Sequence, residues 1–231
     1  MKLSHLETIA AARARREASA LIVDLARGTD RVVLGSDLAS DPLGEAARAR
    51  FRSGESGPEE VDGRRFFIGV NVPPPRLVVV GAVHVGQALA PMARACGFDV
   101  TIVDPRTAFA TPERFEGVAL HAEWPQDVLP RLGLDAYTAV ACLTHDPKID
   151  DPALGLALAA DCFYVGALGS RKTHATRVER LVATGLAPGA VARIAAPIGL
   201  SIGARSPAEI AVSILAEIVG ALRTGRKVAI A

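Results

Sequence analysis

From Arg76 onward, short uninterrupted apolar runs alternate with longer helix-like stretches. The apolar runs are "LVVV" from Leu77, "VTIVD" ending at Asp104, "VAL" from Val118, "YTAVACL" from Tyr137, "CFYVGAL" from Cys162 and, more weakly, "VARIAA" from Val191. Between them lie "GQALAPMARACG", "DPALGLALAA" and "THATRVERLVATG". Strands that are apolar on both faces and separated by helices predict a parallel sheet covered on both sides. About six such strands imply an α/β fold with a doubly wound, mostly parallel sheet of the Rossmann type. The last helix is the most sharply drawn element. In "SPAEIAVSILAEIVGALR", Ser206 is the expected N-cap, Pro207 the first helical residue and Glu209 the partner in a capping box. Ile210, Ile214, Ile218 and Leu222 then make one apolar stripe that packs on the sheet, with Glu217 outside it.

The first seventy residues read differently, as a small α+β domain over residues 1–72. Ser4 and Glu7 are spaced as a capping box ahead of a short helix. "SALIVDL" and "RVVLG" are expected strands joined through "ARGTD", "DPLGEAARARF" a helix and "RRFFIGVNV" a further strand. Gly54, Gly57 and Pro58 mark the loop before it. Three prolines, Pro73 to Pro75, cannot continue a ladder or a helix, so they separate this domain from the Rossmann-type one over residues 77–225.

Composition narrows the partners. Half of the residues are apolar, 22% are charged and the formal net charge is +1, which argues for neither nucleic acid nor a charged membrane surface. Arginines at 13, 15 and 16 and at 48, 50 and 52 are expected on solvated helix faces. The three cysteines, Cys96, Cys142 and Cys162, have no zinc-type or C-x-x-C spacing and are expected to act as small apolar residues in a reducing compartment. No signal-peptide core or membrane-length run is present, so a cytoplasmic location is expected.

The chemistry concentrates in the loops that follow the strands. In "VVVGAVHVGQALA", Gly81 is placed for the tight bend after the strand and Gly86 for close packing of the helix. Val83 occupies the middle position, where glycine lets the backbone approach a pyrophosphate, so weaker phosphate contact is expected there. Asp104 lies where an acidic residue receives a ribose hydroxyl. His84 and His145, with Asp104 and Asp146, are expected to look into one crevice, a metal site among them being the minority reading. "GALGSRKTHATR" brings Gly169, Ser170 and Arg171 to a helix start suited to an anion, although a polar cap with solvated cations explains the same residues. No nucleophile is paired with a base. A βαβ corner without a ligand remains the alternative reading of the first turn.

These blocks, together with "VTIVDPRTAFAT", "LTHDPKIDDPAL" and "APIGLSIGARSPAEIAVSILAEIV", resemble the XdhC/CoxI family, accessory proteins of xanthine dehydrogenase and related molybdenum hydroxylases. The resemblance runs from about Leu77 to the end of the last helix. It implies a chaperone that binds molybdenum cofactor, as molybdopterin or its dinucleotide form, assists its sulfuration and hands it to an apo-hydroxylase. A cysteine desulfurase as second partner and a homodimer belong to the same expectation. The implied cofactor-binding residues are Gly81, His84, Gly86, Asp104, His145, Asp146, Gly169, Ser170 and Arg171, with no catalytic residue and no resident metal. The sequence departs from the family at Val83, where the turn usually has glycine, and at Ser201, where an acidic residue is usual. The family's G-S-x-P-R stretch and its Cys-Val-Glu segment are missing from the first seventy residues. The alternatives are an NAD(P)-dependent oxidoreductase built on the same crevice and a ligand-free docking scaffold for the hydroxylase.

Overall fold

The computed structural model describes residues 2–224, and the chain divides into two compact units between Pro73 and Pro74. The first unit comprises α1 (Leu3–Ala14), β1 (Ser19–Asp24), β2 (Asp30–Leu34), α2 (Gly44–Ser53), β3 (Gly57–Val61) and β4 (Arg64–Asn71). Its strands form an antiparallel sheet in the order β2-β1-β4-β3. The segment expected to be a loop at Gly57 and Pro58 is strand β3. As an edge strand it tolerates Pro58, whose missing N–H breaks no interior ladder. Its hairpin with β4 turns through Asp62 and Gly63, both at positive φ (51° and 69°), as a two-residue hairpin turn requires. The capping box at Ser4 and Glu7 does not form: α1 begins two residues earlier, with Lys2 at its N-cap and no side-chain cap.

The second unit carries β5 (Arg76–Val80), α3 (His84–Ala95), β6 (Asp99–Val103), β7 (Ala119–His121), α4 (Pro125–Leu132), β8 (Thr138–Cys142), α5 (Pro147–Ala159), β9 (Tyr164–Ala167), α6 (Arg171–Ala183), α7 (Pro188–Val191) and α8 (Pro207–Thr224). Its five strands are all parallel, in the order β7-β6-β5-β8-β9. Alternate residues of β5 go to opposite faces. Leu77 and Val79 join the core under α3 and α8, and Val78 and Val80 join the core under α4 and α5. All four are fully buried, which is why the strand reads as a continuous apolar run.

The sixth expected strand is not one. Val191 closes the short helix α7, and "VARIAA" contributes a single parallel bridge from Ala195 to Gly166. The chain leaves the sheet immediately afterwards at Pro197, which has no N–H to extend a ladder. In α8 the capping box is present in both directions: the Ser206 amide donates to Glu209 (2.9 Å) and the Glu209 amide to the Ser206 hydroxyl (3.3 Å). The helix packs chiefly along α3 and crosses β9. Glu217 is buried rather than outside the stripe, accepting from the Tyr164 hydroxyl (2.5 Å) and the Gly199 amide (2.8 Å). No helix among the described residues is long and apolar enough to cross a membrane.

Candidate binding crevice

The strand order places β5 beside β8, and the helices that follow these two strands cover opposite faces. A crevice therefore opens above their carboxyl ends, where ligands bind in sheets of this kind. One wall is the β5–α3 turn with the loop after β6. The other is formed by the turns leading into α5 and α6.

On the first wall Gly81 has φ 123° and donates its amide to Val103 (2.9 Å). A side chain on it would meet Thr144 Cγ2 at 3.0 Å and the Leu143–Thr144 backbone at 3.3 Å, so the base of the crevice has no room for one. A β-carbon at Gly86 would lie 2.7 Å from the Gly81 carbonyl oxygen, which is the close helix–strand approach expected of that position. Val83 departs from the expectation. Its backbone is extended (φ −90°, ψ 172°), a conformation any residue adopts, and its side chain packs against the core under α3 and α8. It serves as the N-cap residue of α3 but offers no side-chain acceptor, so the first-turn amides remain without a cap. Exposed His84 is the first helical residue.

Asp104 also differs from its expected role. It is completely buried and accepts four hydrogen bonds: from the Ala82 amide (2.7 Å), the Arg106 amide (2.9 Å), Arg106 Nε (2.9 Å) and Arg106 Nη2 (2.7 Å). These fill the lone pairs of both oxygens, leaving none for a ribose hydroxyl. Burial raises its pKa, but the hydrogen bonds from the Arg106 side chain and from the two amides outweigh that and hold it below the ordinary carboxylate value. Arg114 ties the same wall together, donating from Nη1 to the carbonyls of Ala82 (2.9 Å) and Phe109 (2.8 Å).

On the second wall the helix starts are already capped. Asp146 accepts from the Lys148 amide (2.9 Å) at the head of α5. Ser170 accepts from the Thr173 amide (3.1 Å) at the head of α6, with Gly169 beside it at φ 137°. The Ser170 hydroxyl is therefore engaged within the chain, while Arg171 lies exposed. His145 is exposed too, with its backbone held at φ 62°. Beneath these loops lies Asp150, 1% exposed, which accepts from Thr144 Oγ1 (2.7 Å) and the His145 amide (3.1 Å). Arg177, 2% exposed, stands 4.0 Å from it and donates to the Leu168 carbonyl (3.0 Å). Nε and Nη1 of Arg177 have no hydrogen-bond partner among the described residues, although Nε lies 3.9 Å from Asp151 Oδ1. Burial pushes the Asp150 pKa up, and the Thr144 hydroxyl and Arg177 only partly offset it.

All nine expected residues thus lie along one edge of the sheet, but they do unlike things. Gly81 and Gly86 shape the first turn and Gly169 the turn into α6, Asp104, Asp146 and Ser170 are engaged internally, and His84, His145 and Arg171 stay exposed. Sequence reasoning missed Arg106, Asp150 and Arg177. A signal existed for the first of them: "DPR" puts a guanidinium two residues beyond the strand-end carboxylate. Among the described residues no group of three His, Cys, Asp or Glu could hold a metal ion. Burial raises the thiol of Cys142 well above its ordinary range and that of Cys162 to about 12, so neither is a nucleophile. Cys96, against expectation, is exposed.

A family model described as the XdhC Rossmann domain matches residues 77–218. The chain belongs to the XdhC family. Relatives of this XdhC protein include an Escherichia coli K12 protein named YqeB and described as uncharacterized, 36% identical over 157 residues (66% of this chain, 28% of the relative). A Bacillus subtilis 168 protein named as a probable subunit of xanthine dehydrogenase is 33% identical over 166 residues (71% and 47%). The E. coli K12 molybdenum cofactor insertion chaperone PaoD is 34% identical over 143 residues (62% and 39%). The matches cover less than half the length of each relative. A Bacillus halodurans crystal structure described as a xanthine dehydrogenase superposes with a TM-score of 0.65 over 97% of this chain and 65% of its own, and at 22% identity it supports the fold.

Proposed function

We propose that this XdhC-family protein binds molybdenum cofactor and serves as an accessory factor in the maturation of a xanthine-dehydrogenase-type molybdenum hydroxylase. The observation that carries the proposal is the β5–α3 turn: a tight glycine bend leads to a helix whose first amides no side chain caps. Such amides, at the positive end of the helix dipole, suit the phosphate group of a pterin cofactor. The names of the Bacillus subtilis relative and of PaoD point the same way.

In this reading Gly81 and Gly86 bring the backbone close to the anionic group, and the α3 amides hold it. His84 and His145 stand exposed at the rim, where either ring can hydrogen-bond the ligand. Asp104, held by Arg106 and the Ala82 amide, fixes the shape of the first wall and does not itself touch the ligand. Asp146 and Ser170 stiffen the second wall as caps, and Gly169 and Arg171 complete that rim. The cofactor itself supplies the redox chemistry of the client enzyme, and this chain binds it and shields it from water. The fully engaged Asp104 speaks against nicotinamide dinucleotide recognition through a ribose hydroxyl.

The test is purification under anaerobic conditions from a host that makes the cofactor, followed by release and oxidation to the fluorescent pterin. A signal near one equivalent is expected. Folded protein with no pterin would overturn the proposal. Pull-down with an apo-hydroxylase, and separately with a cysteine desulfurase, then tests the two proposed partners.

A further inference from the structure

We propose that Arg106 and Phe109 form a stacking platform that receives a planar heteroaromatic ring on the β6 side of the crevice. The inference rests on the ligand-binding reading above and deepens it by naming the part of the ligand this wall takes.

A guanidinium recognises a flat ring through its face, and that works best when its plane is fixed in advance. The plane of Arg106 is fixed. Nε and Nη2 each donate to one oxygen of Asp104 (2.9 and 2.7 Å), and the Arg106 amide donates to the same carboxylate. Asp104 cannot yield, because it is buried and gripped by the Ala82 amide as well. The Arg106 Cζ lies 4.6 Å from the centroid of the Phe109 ring. The loop closes on itself between them, with the Phe109 amide donating to the Arg106 carbonyl (2.9 Å) and the Ala110 amide to the same oxygen (3.1 Å).

The pair is also positioned relative to the glycine turn. Arg114 bridges the Phe109 carbonyl to the Ala82 carbonyl, so the platform and the head of α3 are held by one side chain. An anion at the α3 amides and a ring on this platform are thereby kept in fixed relation, as the two ends of one elongated ligand require.

The surface is open. The Arg106 side chain is 32% exposed and Phe109 is 42% exposed. Nη1 of Arg106 makes no hydrogen bond to a described residue, which leaves a donor for a ring edge or a phosphate oxygen. The nearby charges of Asp146 and Asp150 add to Asp104 in keeping the guanidinium cationic.

Two rings present this chemistry, a pterin and a nucleobase, and binding measurements separate them. The probes are neopterin, CMP, GMP and AMP, titrated calorimetrically into wild type, Phe109→Ala, Phe109→Trp and Arg106→Lys. Arg106→Lys keeps a cation for Asp104 but loses the plane. Phe109 lies outside the core, so its variants keep the fold, and thermal melts verify this. Phe109→Ala and Arg106→Lys are each expected to weaken the bound probe by about tenfold, and Phe109→Trp to restore it. Neopterin as the sensitive probe assigns the platform to the pterin end, and a nucleotide assigns it to the base end. Binding of no probe, or equal binding in all variants, overturns the platform. Undiminished retention of endogenous pterin by Phe109→Ala also overturns it while leaving the cofactor proposal intact. Nucleotide binding that Phe109→Ala weakens, in a protein that retains no pterin, keeps the platform and removes the cofactor proposal.

Discussion

The two walls of the crevice are built from similar parts and solve opposite problems. Each has a glycine turn feeding a helix, and each has a buried aspartate near an arginine. On the first wall the aspartate is fully satisfied and the helix start is open: Asp104 holds four hydrogen bonds while no side chain among the described residues caps α3. On the second wall the helix starts are closed by Asp146 and Ser170, and the buried pair is loose. Asp150 and Arg177 are 4.0 Å apart, Asp151 stands 3.9 Å from the guanidinium, and two of its nitrogens lack hydrogen-bond partners among the described residues. The proposed anion site therefore falls on the first wall, whereas the second carries an electrostatic load that the fold sustains by burial and packing.

The largest effect should come from breaking that load. Asp150→Ala removes one of the two carboxylates beside the buried Arg177, leaving Asp151 at 3.9 Å, and takes the acceptor from Thr144 and His145, so a loss of about 2–4 kcal/mol is expected in denaturant unfolding. Asp104→Ala should cost less, about 1–3 kcal/mol, because Arg106 can reach water, although the Ala82 amide loses its partner. Equal losses would mean that the walls do not differ in this way. The double variant Asp150→Asn with Arg177→Met should recover most of the loss, since removing both charges removes the burden.

Acid titration of stability sharpens the same contrast, because the two aspartates shift in opposite directions from an ordinary value of 3.8. Asp104 is lowered, so its contribution is present above the unfolded-state value and is lost as pH falls through its folded value. Asp150 is raised, so its contribution is fully present below the unfolded-state value and is lost as pH rises through its folded value. The stability of wild type relative to Asp150→Asn should therefore increase as pH is lowered from neutrality towards about 4. Relative to Asp104→Asn, wild type should lose stability only below that range. Parallel curves for the two variants would contradict the assignment.

A smaller effect separates the helix starts. Ser170→Ala removes the cap of α6 and should cost about 1 kcal/mol. Its effect on ligand affinity should be no more than about twofold, because the hydroxyl serves the helix and not the ligand. A large loss of affinity at unchanged stability would move the anion site to the second wall.

Much of this contrast was legible in the residue pattern, and the remainder has physical reasons for staying hidden. Continuous apolar runs gave β5, β6, β8 and β9, because strands buried on both faces admit few polar residues. The Ser206, Pro207 and Glu209 box located the head of α8, because its partners are local. "VARIAA" misled because its composition fits a strand, while one bridge at Ala195 is all that the chain forms before Pro197. α4 was missed, being eight residues long with Pro130 inside it. Glu217 was placed outside the apolar stripe by polarity, although it is seven residues beyond Ile210 and so on the same helical face. Its partners, Tyr164 and Gly199, lie far away in sequence. Asp104 was found by its distance from the glycine turn, but distance does not reveal that Arg106 folds back onto it. Asp150 and Arg177 come from different helices, and only the tertiary structure brings them together.

Position 83 offers the finest test of the comparison. The fingerprint wants glycine there, and a branched residue at the closest approach to a phosphate should weaken binding. In the folded chain the Val83 backbone is extended, and its side chain turns into the core beneath α3 and α8. Val83→Gly therefore gives the turn no conformation it lacked and removes no obstacle above the amides. Glycine is tolerated at an N-cap, so the cost should be limited to the lost packing and added chain freedom, about 0.5–1 kcal/mol. Affinity for inorganic phosphate or a nucleotide should stay within about twofold of wild type. A marked gain in affinity would show that the side chain does stand in the ligand's path. The first wall would then be a partly closed anion site, and its difference from the second wall would be one of degree.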